Sequence, residues 1–169
     1  MILTLPRRAE YLTKEAILPN DVPLFRLSPV KNGLIIFNNT GKPVAQIDKN
    51  ETQVVVALAD GGSVALERNG DGVKFVKPTE NKKRKRRRER DEKLNVEKER
   101  TLGELIFFGN ASDAQYEIFI KAKNTVKPET LVQAVAHPLY DKLVNARIPD
   151  GQNVLLAIAL CLAVGYFEK

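Results

Sequence analysis

Val154-Leu-Leu-Ala-Ile-Ala-Leu-Cys161-Leu-Ala-Val-Gly-Tyr-Phe167 is an unbroken apolar run of fourteen residues, closed by Glu168 and Lys169. As a helix rising about 1.5 Å per residue it spans roughly 21 Å, short of the roughly 30 Å hydrocarbon core of a bilayer. A helix that is apolar all round also lacks the polar face a surface helix shows to water. The run therefore predicts a helix buried inside the protein, with a short tail anchor or reversible membrane-inserting segment as the alternative. Ala157, Ala159, Ala163 and Gly165 would let surrounding strands approach closely, while Leu155, Leu156, Ile158, Leu160, Leu162 and Val164 fill volume. Either Asp150 or Asn153 can cap its first turn, because a side-chain oxygen takes up free backbone amides there.

Working outward from that run, the rest of the chain reads as strands able to wrap it. Leu34-Ile-Ile-Phe37, Pro43-Val-Ala-Gln-Ile47, Val54-Val-Val-Ala-Leu58, Ser63-Val-Ala-Leu-Glu67 and Val73-Lys-Phe-Val76 are separated by turns rich in Asn, Asp and Gly. Those turn residues accept the positive φ of tight hairpins, and such short regular spacing points to an antiparallel sandwich or barrel. The pattern resumes at Leu102-Gly-Glu-Leu-Ile-Phe-Phe108 and again at Gln115-Tyr-Glu-Ile-Phe-Ile-Lys121, where Tyr116, Ile118 and Ile120 alternate with Glu117, Phe119 and Lys121. Residues 128–136 are ambiguous between a short helix and a strand, and Pro138 stops either. Leu143-Val-Asn-Ala-Arg-Ile148 reads as a last short strand.

Composition bounds the function classes. At 169 residues the chain is expected to form one domain over 1–169 with a real core. A single Cys excludes an internal disulfide, and one Cys with one His leaves little for a zinc site of the usual type. No stretch near Met1 is apolar enough for a secretory signal, so the triplets at Asn38, Asn50 and Asn110 are not expected to carry glycans. A cytoplasmic location, with nuclear as the alternative in a eukaryote, is the default. No cofactor or metal is implied.

The net charge of +6 belongs to one segment. Residues 80–100 hold eleven Lys and Arg against six Asp and Glu, leaving sixteen against fifteen for the remainder. The segment falls between two strands and reads as a disordered insertion within the domain. Its centre is Lys82-Lys83-Arg84-Lys85-Arg86-Arg87-Arg88, followed by Glu89 and Arg90. Seven successive cations repel one another and project into water, where they attract anionic lipid head groups or nucleic acid in a salt-dependent way. The bland alternative is a solvated loop balanced by Glu89, Asp91, Glu92, Glu97 and Glu99. No aromatic residue lies between Lys77 and Ile106, which weighs against single-stranded nucleic acid, whose binders add stacking platforms to their charges.

A catalytic reading finds little support. His137, in Ala136-His-Pro138, has no nucleophile that sequence can place beside it. Cys161 sits in the apolar run, where burial hides a thiol and raises its pKa. Gly61-Gly62 and Gly70-Asp-Gly72 read as hairpin turns, since no helix opening on Lys-Ser/Thr follows them.

The ending Asp150-Gly-Gln-Asn-Val-Leu-Leu-Ala-Ile-Ala-Leu-Cys-Leu-Ala-Val-Gly-Tyr-Phe-Glu168 resembles that of the tubby C-terminal-like superfamily, which includes the LURP-one-related proteins and the phospholipid scramblases. Leu24-Phe-Arg-Leu followed by Gly33-Leu-Ile-Ile-Phe-Asn-Asn-Thr-Gly-Lys-Pro-Val44 is similar to that family's opening hairpin. The resemblance implies a closed antiparallel β-barrel around a buried C-terminal helix, and a non-enzymatic module that binds acidic phospholipid or phosphoinositide. It covers almost the whole chain as architecture. The chain departs from the scramblase pattern in lacking an acidic calcium loop and a cysteine-rich stretch, and the resemblance does not extend to the 80–100 insertion. The expected ligand-binding residues are therefore Lys82, Lys83, Arg84, Lys85, Arg86, Arg87, Arg88 and Arg90. The alternatives are a nucleic-acid-associated protein using the same run, or a protein-interaction scaffold.

Overall fold

A computed structural model describes residues 2–8, 16–17, 25–78, 104–121 and 127–167. The insertion centred on 82–90 lies outside the described residues, and so does the expectation that it is disordered. The described chain is mainly β, with two antiparallel sheets and one helix. The seven-stranded sheet runs in chain order: β2 (Ala16–Ile17), β3 (Phe25–Val30), β4 (Gly33–Asn38), β5 (Pro43–Lys49), β6 (Val54–Leu58), β7 (Ser63–Asn69) and β8 (Gly72–Val76). The five-stranded sheet orders β1 (Ile2–Pro6), β12 (Leu143–Arg147), β11 (Glu129–Ala136), β10 (Gln115–Lys121) and β9 (Glu104–Asn110).

The hairpin turns follow from local chemistry. β3 and β4 are joined by Lys31 and Asn32, the latter at φ 62°, a left-handed conformation that asparagine tolerates. Asn38, Asn50 and Asn110 each turn a side-chain oxygen back on the loop that follows. Asn38 Oδ1 accepts from the amides of Thr40 and Lys42 at 3.0 and 2.9 Å. Asn50 Oδ1 accepts from those of Thr52 and Gln53 at 2.9 and 2.7 Å. Asn110 Oδ1 accepts from that of Asp113 at 3.1 Å. Asp60 does the same for Gly62 at 3.0 Å. The three Asn-x-Ser/Thr triplets are thus turn formers, in which the oxygen replaces a backbone acceptor.

Two parts of the sequence reading are settled by tertiary pairing. Residues 129–136 form a strand, because β11 lies between β10 and β12 and its amides complete both ladders. Ile2–Pro6, read from sequence only as too short for a signal, is also a strand: Ile2 pairs with Arg147 and Leu5 with Val144. Its alternation was present, with Leu3 and Leu5 facing inward and fully buried.

The helix α1 (Val154–Val164) enters between the sheets and packs against β5 and β6 of one and β1 and β11 of the other. Leu156 through Val164 are all buried, as the absence of a polar face requires. Asn153, of the two capping candidates, does the work: its Oδ1 accepts from Leu156 N at 3.1 Å. At the far end the chain passes into a single 3-10 turn (Gly165–Phe167). There the Arg68 guanidinium donates to the Phe167 carbonyl, and Lys49 Nζ stands 5.9 Å from the Tyr166 ring. Cations at a helix C-terminus satisfy exposed carbonyls and complement the helix dipole. Each fully buried Leu or Ile contributes roughly 1.5–3 kcal/mol, so α1 is a principal source of stability. Among the described residues no helix is long and apolar enough to cross a membrane.

Candidate functional site

The strands that carry the basic insertion are β8, ending at Val76, and β9, starting at Glu104. Their other ends meet. Ala111 N donates to Asp71 O at 2.7 Å, and Gly72 lies so close to Phe107 that an added Cβ would stand 2.6 Å from its Cε1. With the β7–β8 and β9–β10 turns in contact, β8 and β9 run in opposite directions, and the stems of the insertion leave from the opposite end. That end also carries the end of β10 at Lys121 and the start of β11 at Glu129, since Lys121 pairs with Glu104 and Ile120 with Glu129. The first turn of α1 follows β12 there, tied down where Gln152 Nε2 donates to Glu129 Oε2 at 2.9 Å.

The charges on this frame are mixed. Lys77, Lys121 and Lys127 stand with Glu104, Glu129 and Asp150. A mixed frame builds no strong field of its own, so a polyanion would be drawn by the insertion rather than by the sheet beside it. Lys82, Lys83, Arg84, Lys85, Arg86, Arg87, Arg88 and Arg90 all lie outside the described residues.

The other candidates take structural roles. His137 N donates to Leu143 O at 3.1 Å, which extends the β11–β12 ladder by one bond. Its Nδ1 accepts from the amides of Leu139 and Tyr140 at 3.1 and 3.2 Å, so that lone pair holds a turn. The ring lies 5.1 Å from that of Tyr140. Cys161 is buried in α1, and burial pushes its thiol up from 9.0 to about 12, against a smaller opposing effect from a hydrogen bond with Tyr116. Tyr166 is likewise pushed up from 10.0 to about 12, by burial first and the nearby Asp48 carboxylate second. Neither side chain supplies a nucleophilic anion at neutral pH. Among the described residues no three His, Cys, Asp or Glu side chains gather as a metal site.

One feature that sequence reasoning missed is on the outer face of the five-stranded sheet. Phe108 is 74% exposed, Ile2 65% and Val135 47%, with Ile106 also exposed nearby. The outward alternation of β9 and β11 was the available signal, obscured because both strands carry apolar residues on their two faces.

No known family pattern matches the chain, and no curated protein matches it in sequence. Among solved structures, the X-ray structure of a protein from Arabidopsis thaliana, AT5G01750, is similar with a TM-score of 0.52 at 8% identity, over 96% of this chain and 88% of that one. At that identity the likeness is one of fold alone.

Proposed function

We propose that this chain is a non-enzymatic binding module of tubby-like or LURP-one-related type, which associates peripherally with acidic phospholipid or phosphoinositide through Lys82–Arg90 from the cytoplasmic side. In this reading residues 1–169 form a single domain, and the two sheets act as one closed barrel around α1. The contact between the β7–β8 and β9–β10 turns, one from each sheet, supports that closure at one seam, and the bond from Arg7 Nη2 to Ser112 O at 3.0 Å joins the two edges of the five-stranded sheet and curls it.

The observation that carries the binding reading is seven successive cations between two strands whose stems leave from one end of the fold. Held at a rigid end, such a run can lie against a charged surface without disturbing the core. Each cation near an acidic membrane is worth about 1 kcal/mol, screened by salt. A head group needs only charge, which suits a segment without aromatics.

Co-sedimentation with neutral and acidic liposomes across a salt series tests this. The unaltered protein is expected to pellet only with acidic vesicles, less so as salt rises. Changing the seven cations at 82–88 to Gln should weaken binding at least ~100-fold. Salt-resistant binding to both vesicle types would overturn the reading in favour of insertion by 154–167. Retention on nucleic acid without vesicle binding would move the same run to a different polyanion.

A further inference from the structure

The exposed face of the five-stranded sheet has an order that mixed surfaces lack. Strand pairing places Phe108 beside Glu117, Glu117 beside Gln133, Gln133 beside Arg147, and Arg147 beside Ile2. All five point away from the core, since their neighbours Tyr116, Ala134, Ala146 and Leu3 are buried. Read across β9, β10, β11, β12 and β1, the row is apolar, acidic, neutral, basic, apolar. Reversed and laid on itself, it sets aromatic on aliphatic, acid on base, and glutamine on glutamine.

We infer that this face is a two-fold interface at which a second copy of the chain docks sheet to sheet. In a two-fold interface the same patch serves both copies and must complement itself. An axis lying between the copies and running along β11 reverses strand order while keeping height along the strands. It therefore sets Glu117 against Arg147 of the second copy, twice per dimer, on the two strands that flank β11, while Phe108 and Ile2 lie on the outer strands of the curved sheet. The next outward row obeys the same operation: Val135, on β11, meets its own counterpart. An axis running across the strands would instead stack Glu117 on Glu117 and Arg147 on Arg147, which like-charge repulsion disfavours.

Within one copy Glu117 Oε1 accepts from Gln133 Nε2 at 3.4 Å, a long bond that leaves its other oxygen for a guanidinium. Face-to-face sheets pack about 10 Å apart, close enough for these side chains to interdigitate. The occupant is therefore a second sheet of the same pattern. A lipid surface finds no net cationic patch here, since Glu117 balances Arg147 on either side of Gln133.

Sedimentation equilibrium of the full chain over a concentration series decides this. The unaltered chain is expected to pass from monomer to dimer. Glu117→Arg or Arg147→Glu alone should weaken association at least ~100-fold, because each creates two like-charge contacts. Glu117→Arg combined with Arg147→Glu should restore it, and Val135→Asp should abolish it by placing two carboxylates at the axis. Circular dichroism of each variant checks that the fold survives. A chain monomeric throughout, single reversals without effect, or a double reversal that fails to recover would each overturn the interface. So would a monomeric chain in which Val135→Asp abolishes vesicle binding, since a membrane would then be the occupant.

Discussion

The two sheets turn similar inner faces to α1 and opposite kinds of outer face to their surroundings. In the seven-stranded sheet the centre is buried on both sides: all five residues of β6 are buried, and Ile35, Val55, Ala57 and Ala65 lie outside the cluster around the helix yet are also inaccessible. The half-buried Phe37 carries the Arg26 guanidinium 4.5 Å from its ring centre. In the five-stranded sheet the outer positions are open, and among the described residues all six exposed large hydrophobics, Ile2, Ile106, Phe108, Val135, Leu139 and Tyr140, belong to it or to its β11–β12 turn. Burying apolar surface is a shared need of both inner faces. What the outer faces do is a separate matter, and an open apolar face usually marks a contact.

The sharpest way to break this comparison is to put a carboxylate on each outer face. Val55→Asp sets an unpaired charge at a site 3% exposed and should lower unfolding stability by more than ~4 kcal/mol, or prevent folding. Urea denaturation with little loss would mean that this face opens readily to water.

The inner faces are tested next by pH. In the unfolded chain Cys161 regains its ordinary thiol pKa of 9.0, while in the folded chain burial holds it at about 12. The raised group leaves stability intact below pH 9 and erodes it as pH climbs towards 12, by up to about 1.4 kcal/mol per pH unit. Cys161→Ala should flatten that part of the profile. Tyr166 adds in the same direction above pH 10. A urea midpoint unchanged between pH 8 and pH 11 would show that the helix interior admits water.

A smaller effect is expected where α1 enters. Asn153→Ala removes the oxygen that holds Leu156 N and should cost about 1 kcal/mol, visible as a lowered thermal midpoint. No change would mean that another group takes over the cap.

The smallest effect completes the comparison. Val135→Asp, on the open face, should leave unfolding stability within about 0.5 kcal/mol when measured at high dilution, where association contributes nothing. A loss as large as that of Val55→Asp would erase the distinction between the two faces.

Much of this contrast was legible in the chain. The strands at 33–38, 43–49, 54–58, 63–69 and 72–76 are local readings, because each is bounded by turn residues whose preference for left-handed or side-chain-capped backbone is intrinsic. Val54-Val-Val-Ala-Leu58, apolar at every position, also announces a strand buried on both faces. The basic run is equally plain in sequence and lies outside the described residues, between the end of β8 at Val76 and the start of β9 at Glu104.

The remainder depended on partners distant along the chain. Residues 129–136 have a pattern that either a helix or a strand can use, and only the neighbouring ladders of β10 and β12 decide between them. Ile2–Pro6 needs Leu143–Arg147, more than a hundred residues away, to become a strand at all.

The sequence by itself determined that a fourteen-residue apolar run must leave water, since no polar face is encoded, and that hairpins must surround it. The tertiary structure alone decided which faces of those hairpins close on the helix and which stay open. Hydrophobic pattern specifies that a side chain seeks burial, but register across distant strands determines what it meets. Glu117, Gln133 and Arg147 are scattered in sequence and become one row only when two ladders align.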